Sequence, residues 1–201
     1  MPLTTLAHWA VLLALLAAPP RPATASGLIE HGMAFHVRTT DARLRGLIDE
    51  GLRTSPTFRS IVDRLIGTDV IVHLQCDPAA PPHVDGRLTF SAKAGGFRYI
   101  VVRLRHQAHA VQFIGLLAHE LRHAVEVAET PAIVDSLSLA REYGRIGYVR
   151  RNTPEAMSFD TAAAIDAGYR VVAEIGALRQ ASRRPVVRAA WELSAGTELA
   201  P

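Results

Sequence analysis

The stretch Leu116–Val125, which reads LLAHELRHAV, decides the fold of this chain. It lies in a longer run, from about Gln107 to Ala128, whose apolar residues recur at helical spacing and predict a long, central, buried helix. The helix should end close to Glu129, because Thr130 precedes Pro131 and a residue before proline is pushed out of the α region. Imidazole and carboxylate groups are costly to bury without partners. Their presence inside this helix therefore indicates a site.

The two histidines of the stretch, His119 and His123, are four residues apart. On a helix they share one face and lie about 6 Å apart along the axis. Both imidazoles can then reach one zinc ion, which takes neutral nitrogen donors in a tetrahedral set and keeps one position for water in catalytic sites. Glu120 lies on the flank of this pair, where a carboxylate can take a proton from the water as it attacks a carbonyl. The spacing predicts two zinc ligands and a general base.

With these residues set in an apolar helix, the sequence resembles the zincin superfamily of HExxH metallopeptidases. The resemblance implies a Zn²⁺ cofactor, a peptide or protein substrate, and a site on a buried helix beside a small sheet. Arg122 departs from the family, which prefers an uncharged residue at that position. The segments His119–Glu129 and Phe159–Ile175 also look like those of small exported bacterial proteins with the same HExxH layout.

The third metal ligand differs among zincin families, and the sequence leaves several acids open. Glu129 stands where the metzincin group has this ligand, but that group turns the chain at a glycine where this chain has Glu126. A gluzincin-like site instead takes an acid from a later helix. The candidates are then Asp135, Glu142 and Asp160.

Asp160 is the favoured candidate because it falls in line with the apolar stripe of a helix predicted over Ser158–Leu178. A carboxylate directed into a core requires a metal or a cation. The competing interpretation is a first-turn acid stabilised by the helix dipole, with Ser158 as the N-cap. Glu126 lies about 10.5 Å along the axis from His119. It is therefore predicted to orient His123 or hold an arginine rather than to bind the ion.

The elements around the long helix predict an α+β fold: a small antiparallel or mixed sheet packed on the central HExxH helix, with a helical C-terminal half. The predicted strands are Phe35–Arg38, Asp69–Gln75 and a hairpin of Arg87–Ala92 with Phe97–Arg105. The other predicted helices are Asp41–Leu52, Pro56–Ile66, Ala132–Tyr143 and Ser158–Leu178.

The N-terminus has the layout of a secretory signal peptide. An apolar run, Ala10–Ala18, precedes the small residues Ala23-Thr24-Ala25, and it is shorter than the roughly 20 residues that span a bilayer. Residues 1–25 are thus predicted to be cleaved after about Ala25, which implies a secreted or periplasmic protein without stable membrane insertion; an uncleaved anchor is the alternative. Residues 26–201 are long enough for a single domain, and residues 182–201 are predicted to be a loosely ordered tail.

The charge pattern excludes a nucleic-acid partner. The chain has 22 basic and 19 acidic side chains, a net charge of +3, and its arginines are scattered between acids rather than gathered in a stripe. Cys76 is the single cysteine, so no internal disulfide can form.

Together these features predict an exported zinc-dependent metallohydrolase, a peptidase in which Glu120 activates the water. The alternative is a non-catalytic zincin-like protein that binds a metal or a partner, because a chain of 201 residues leaves little room for a deep substrate cleft. A di-iron bundle is excluded, since it needs a second Glu-x-x-His motif on another helix.

Overall fold

A computed structural model describes residues 35–81, 84–149 and 159–182 in full and, of residues 150–153, 156–158 and 183–195, the backbone alone. The predicted signal peptide lies outside the described residues. No helix in the described part is both long and apolar enough to cross a lipid bilayer. The elements are β1 (Val37–Arg38), α1 (Ala42–Thr54), α2 (Pro56–Leu65), β2 (Val70–Cys76), β3 (Gly86–Ala94), β4 (Phe97–Leu104), α3 (Ala110–Glu129), α4 (Ser136–Ile146), β5 (Tyr148–Thr153), β6 (Ala156–Asp160) and α5 (Ala162–Ala195).

The main sheet is mixed, which confirms the α+β class. Its strand order is β1-β2-β4-β3, with β1, β2 and β4 parallel and β3 antiparallel to β4 at one edge. Every second residue of β4 is buried, as the period of two requires when one face of a sheet packs on helices. The predicted hairpin of β3 and β4 is confirmed. It turns through Gly95 and Gly96, whose φ angles of 58° and 83° are in the left-handed region that glycine tolerates best.

The predicted central helix is confirmed as α3, which begins at Ala110 and ends at Glu129. Its C-terminal end is held by Arg98, a fully buried side chain of β4. The Arg98 guanidinium donates to the carbonyl oxygens of Val127 at 2.7 Å and Thr130 at 2.9 Å, and it binds both carboxylate oxygens of Asp69. Strand β4 therefore fixes where the long helix stops.

Helix α5 crosses α3 at a close contact between two glycines. A Cβ atom built on Gly115 would lie 3.1 Å from the carbonyl oxygen of Gly168, and a Cβ on Gly168 would lie equally close to that of Gly115. Any larger pair would push the helices apart. This crossing lies one turn before His119, so it brings the start of α5 beside the histidines.

The region before α5 differs from the sequence-based prediction. Strands β5 and β6 pair antiparallel in a two-stranded sheet, where the sequence predicts a polar connection and a helix starting at Ser158. The helix begins after Thr161, whose hydroxyl accepts from the Ala164 N–H at 3.1 Å in the manner of an N-cap. Ser158 is therefore not the cap.

The two last helices also have boundaries other than those predicted. Helix α4 begins at Ser136 rather than Ala132, because Asp135 accepts from the Ser138 N–H in a capping box. Helix α5 runs on to Ala195, beyond the predicted end at Leu178. The backbone of residues 182–195, part of the segment predicted as a loosely ordered tail, continues this helix.

Candidate metal centre

His119 and His123 lie one turn apart on α3, as their spacing predicts. Their ring centroids are 4.9 Å apart and the ring planes are nearly perpendicular, at 84°. The His123 side chain is 6% exposed and that of His119 is 19% exposed. His123 is therefore the more deeply buried of the two.

Asp160 completes a group of three possible metal ligands. Its Oδ1 atom lies 3.4 Å from His119 Nε2 and 3.6 Å from His123 Nε2, and the donor atoms of the three residues are all within 4.8 Å of one another. For zinc with ligands at about 2.0 to 2.1 Å, tetrahedral geometry places neighbouring donors roughly 3.3 Å apart. The three side chains could therefore hold one metal ion.

Asp160 reaches the histidines from an element that the sequence did not predict. It is the last residue of β6, followed by Thr161, the N-cap of α5. Both interpretations made from the sequence, alignment with the apolar stripe and an acid stabilised by the helix dipole, place Asp160 in the first turn of a helix. That predicted position is wrong. The side chain is nevertheless buried, with 2% of the residue exposed, and its carboxylate accepts from the Thr161 N–H at 2.8 Å.

Glu126 contacts both halves of this group. Its Oε2 atom lies 2.9 Å from His123 Nδ1, and its Oε1 atom accepts from the Thr161 hydroxyl at 2.8 Å. A proton on Nδ1 that is shared with a carboxylate leaves the Nε2 lone pair free for an ion. Glu126 thus orients His123 on α3 and at the same time ties α3 to the residue that follows Asp160.

The carboxylates around His123 also set its protonation. Burial alone disfavours the imidazolium, but Asp160 and Glu126 outweigh it and raise the pKa of His123 to about 9. Burial likewise opposes the charged form of Asp160, yet the two histidines hold the pKa of that carboxyl below its usual range. At neutral pH a metal ion would therefore have to replace a proton on His123.

Glu120 lies on the flank of the two histidines and is almost fully buried, with 4% of the residue exposed. Burial raises the pKa of its carboxyl to about 7, while His123 lowers the pKa and Asp160 raises it. A pKa near the operating pH suits a group that takes up and releases a proton.

The other acids considered from the sequence do not join the group. Glu129 pairs with Arg64 and lies 3.5 Å from Arg122 at the end of α3. Asp135 caps α4, and Glu142 pairs with Arg145 on the surface of α4. Within the described residues, the group of histidine, cysteine and acidic side chains able to share an ion consists of His119, His123 and Asp160.

A cavity of about 640 Å³ opens over this group and over Glu120. The start of the edge strand β3, Gly86–Leu88, forms part of its lining, and Tyr169 of α5 stands beside it, 75% exposed. Apolar side chains make up much of the remaining surface: Leu116, Leu139, Ala140, Phe159, Ile165 and Val172. The possible ligands therefore lie at the base of a largely apolar cavity.

Two contributors to this site carry no sequence signal that would have identified them as neighbours of the histidines. Thr161 is a residue type that often caps helices, and it stands just before an alanine-rich helix, so its capping role could be predicted from the sequence. Its hydrogen bond to Glu126 could not be predicted. Gly86 directly precedes the predicted strand Arg87–Ala92, and the Glu120 side chain that occupies the space beside it is far away in the sequence.

No protein-family model, curated protein or solved structure matches this chain. The side chains of the site itself are thus the basis for inferring a function.

Proposed function

We propose that this chain is a zinc-dependent hydrolase of the zincin type, in which His119, His123 and Asp160 are the protein ligands. The observation that carries the proposal is the position of Asp160, whose carboxylate meets both histidines at 3.4 and 3.6 Å from a separate element. Two imidazole nitrogens and one carboxylate form a donor set found in catalytic zinc sites, whereas Mg²⁺ and Ca²⁺ favour oxygen ligands throughout. Three protein ligands would leave one position of a tetrahedral zinc ion for water.

The chemistry follows from the neighbours of that position. A zinc ion held by these residues would lower the pKa of its bound water to about 7 and polarise a carbonyl group. Glu120, buried on the flank of the two histidines, would accept the proton of the attacking water and return it to the leaving amine. Glu126 keeps His123 oriented through the 2.9 Å contact with Nδ1. Asp160 and His119 keep their donor atoms directed at the same point.

A peptide is the substrate class that the cavity favours. Strand β3 is an edge strand, and its first residues, Gly86–Leu88, line the cavity beside the histidines. The backbone N–H and C=O groups of an edge strand can pair with an extended peptide. Apolar walls then accommodate side chains of the peptide. The volume of about 640 Å³ also argues against the non-catalytic alternative, whose motivation is a lack of room for a cleft.

The proposal is tested by metal content and hydrolysis measured on the same variants. We expect one zinc per mature chain by elemental analysis, a loss of most of the zinc in His119→Ala and Asp160→Ala, and retention in the control Asp166→Ala, which changes an exposed acid. Glu120→Gln should keep the zinc and lose hydrolysis of a broad peptide library, because Glu120 is not a ligand. A native protein without metal would refute the proposal.

A native protein that binds one zinc but cleaves no member of the library would support the non-catalytic alternative instead.

We further propose that the protein is exported through residues 1–25. Sequencing the N-terminus of the protein recovered from outside the cytoplasm should then start close to residue 26, and an intact Met1 would contradict cleavage.

A further inference from the structure

Gly86, the first residue of β3, faces the helix that carries Glu120. Along β3, residues 86, 88 and 90 pair with Leu104, Val102 and Ile100 of β4, all three of which are buried against the helices. Because side chains alternate between the faces of a strand, a side chain at position 86 would point at α3.

The space that such a side chain needs is filled by Glu120. A Cβ atom built on Gly86 would lie 2.3 Å from Glu120 Oε1, 2.8 Å from Cδ and 2.9 Å from Cγ, all closer than real Cβ contacts. Gly86 is not among the glycines with positive φ, which are Gly67, Gly95 and Gly96. The room that Gly86 leaves, and not its backbone angles, therefore accommodates the Glu120 side chain where it lies, and any larger residue would have to displace that side chain.

We propose that Gly86 is a positioning residue, whose bare Cα sets where the Glu120 carboxylate lies relative to His119 and His123. This inference rests on the proposed function, in which Glu120 is the base. The Glu120 side chain has three rotatable torsions and is held in place by burial, with 4% of the residue exposed. An added methyl group would have to move its carboxylate by about 1 Å to reach an ordinary contact of 3.4 Å.

The effect on turnover is the first measurement. A misplacement of about 1 Å at a reacting group can lower the rate about 100-fold. We expect Gly86→Ala to lower kcat by roughly this factor. The zinc content should not change, because none of the three ligands is altered. KM should change less than kcat, because residue 86 lines the cavity but keeps the backbone groups that β3 offers to a peptide. The matched control is Gly46→Ala, at an exposed glycine of α1 with nothing within 4 Å of an added Cβ. A Gly86→Ala variant with the native kcat would overturn the proposal.

A second measurement does not depend on activity. Overpacking of this size typically lowers the melting temperature of a domain of this length by about 3 to 10 °C. We expect Gly86→Ala to show such a loss in the native background and almost none in a Glu120→Ala background, where the three atoms nearest to the new methyl group, all of the Glu120 side chain, have been removed. A Gly86→Ala chain that folds only in the Glu120→Ala background would support the contact equally.

The outcomes separate the two proposals. If the loss in melting temperature depends on Glu120 but the protein hydrolyses no peptide, the contact between residue 86 and Glu120 is supported and the proposed hydrolase function is refuted. An equal loss in both backgrounds, or failure to fold in both, would show that the Glu120 side chain is not what requires glycine at position 86, and the positioning role would fall even in an active enzyme.

Discussion

Replacement of Glu126 probes how the site is held together, because its carboxylate joins the two halves of the proposed zinc site. One oxygen lies 2.9 Å from His123 Nδ1 and the other accepts from the Thr161 hydroxyl at 2.8 Å. Glutamine keeps one carbonyl oxygen for His123 and offers an amide N–H to the Thr161 oxygen, so it preserves the shape and removes the charge. Alanine removes both contacts. The two variants therefore separate the charge of Glu126 from its orienting role.

The expected magnitude follows from the position of Glu126 behind a metal-binding histidine. Loss of such a partner typically weakens metal affinity by about 10-fold to 100-fold, which corresponds to about 1.4 to 2.7 kcal/mol. We expect Glu126→Gln at the lower end and Glu126→Ala at the upper end of that range. Zinc affinity is measured by competition with a chromophoric chelator at fixed pH. The control is Glu129→Gln, which alters an exposed acid on the same helix that does not join the group of ligands.

The same experiment has an outcome that would refute the reasoning. If Glu126→Ala bound zinc as tightly as the native chain, then His123 would not need its Nδ1 partner, and the 2.9 Å contact would have no bearing on the site. A loss in Glu129→Gln as large as that in Glu126→Ala would also refute it, because the effect would then reflect general charge rather than orientation.

Two further predictions concern the scaffold that holds the site. Arg98→Met should lower the free energy of unfolding by about 2 to 4 kcal/mol in urea titrations, because it leaves the carbonyl oxygens of Val127 and Thr130 at the end of α3 without their donor; a change below about 1 kcal/mol would contradict this anchoring role. For Glu174, burial raises the pKa, but hydrogen bonds from Ser55 and Thr57 outweigh burial and leave the pKa lowered. The ionised Glu174 carboxylate therefore stabilises the folded state at pH values above its unfolded-state pKa. This contribution to stability is lost as the pH falls through the lower folded-state pKa. Glu174→Gln should lower stability by about 1 to 2 kcal/mol at pH 7 and flatten its decline below about pH 5; an unchanged decline would contradict this.

The parts of the fold that could be predicted are those encoded by local periodicity. The length of α3 follows from its apolar spacing and from Pro131, and the β3–β4 hairpin follows from two glycines between β-rich runs. Both histidines and the contact between His123 and Glu126 lie within one or two turns of a single helix, where spacing alone determines which side chains meet.

The unpredicted parts depend on pairing between segments that have no strong pattern of their own. Residues 150–154 read as a polar loop, yet residues 148–153 form a strand because they pair with β6. Asp160 was thus the favoured candidate for reasons that the structure contradicts, although it does lie beside the histidines. The contact of Gly86 with Glu120 could not be predicted at all, since a glycine carries no side-chain signal for what packs against its Cα.

The measurement that tests the central claim most directly is X-ray absorption at the zinc edge of the native protein and of Asp160→Ala. We predict one zinc per chain with two imidazole nitrogens at about 2.0 to 2.1 Å and a carboxylate oxygen at about 2.0 to 2.2 Å. Asp160→Ala should either lose the zinc or replace that oxygen by water, with the histidine contribution unchanged. A native protein without zinc, or a zinc environment that Asp160→Ala leaves unaltered at full occupancy, would contradict the assignment of His119, His123 and Asp160 as its ligands.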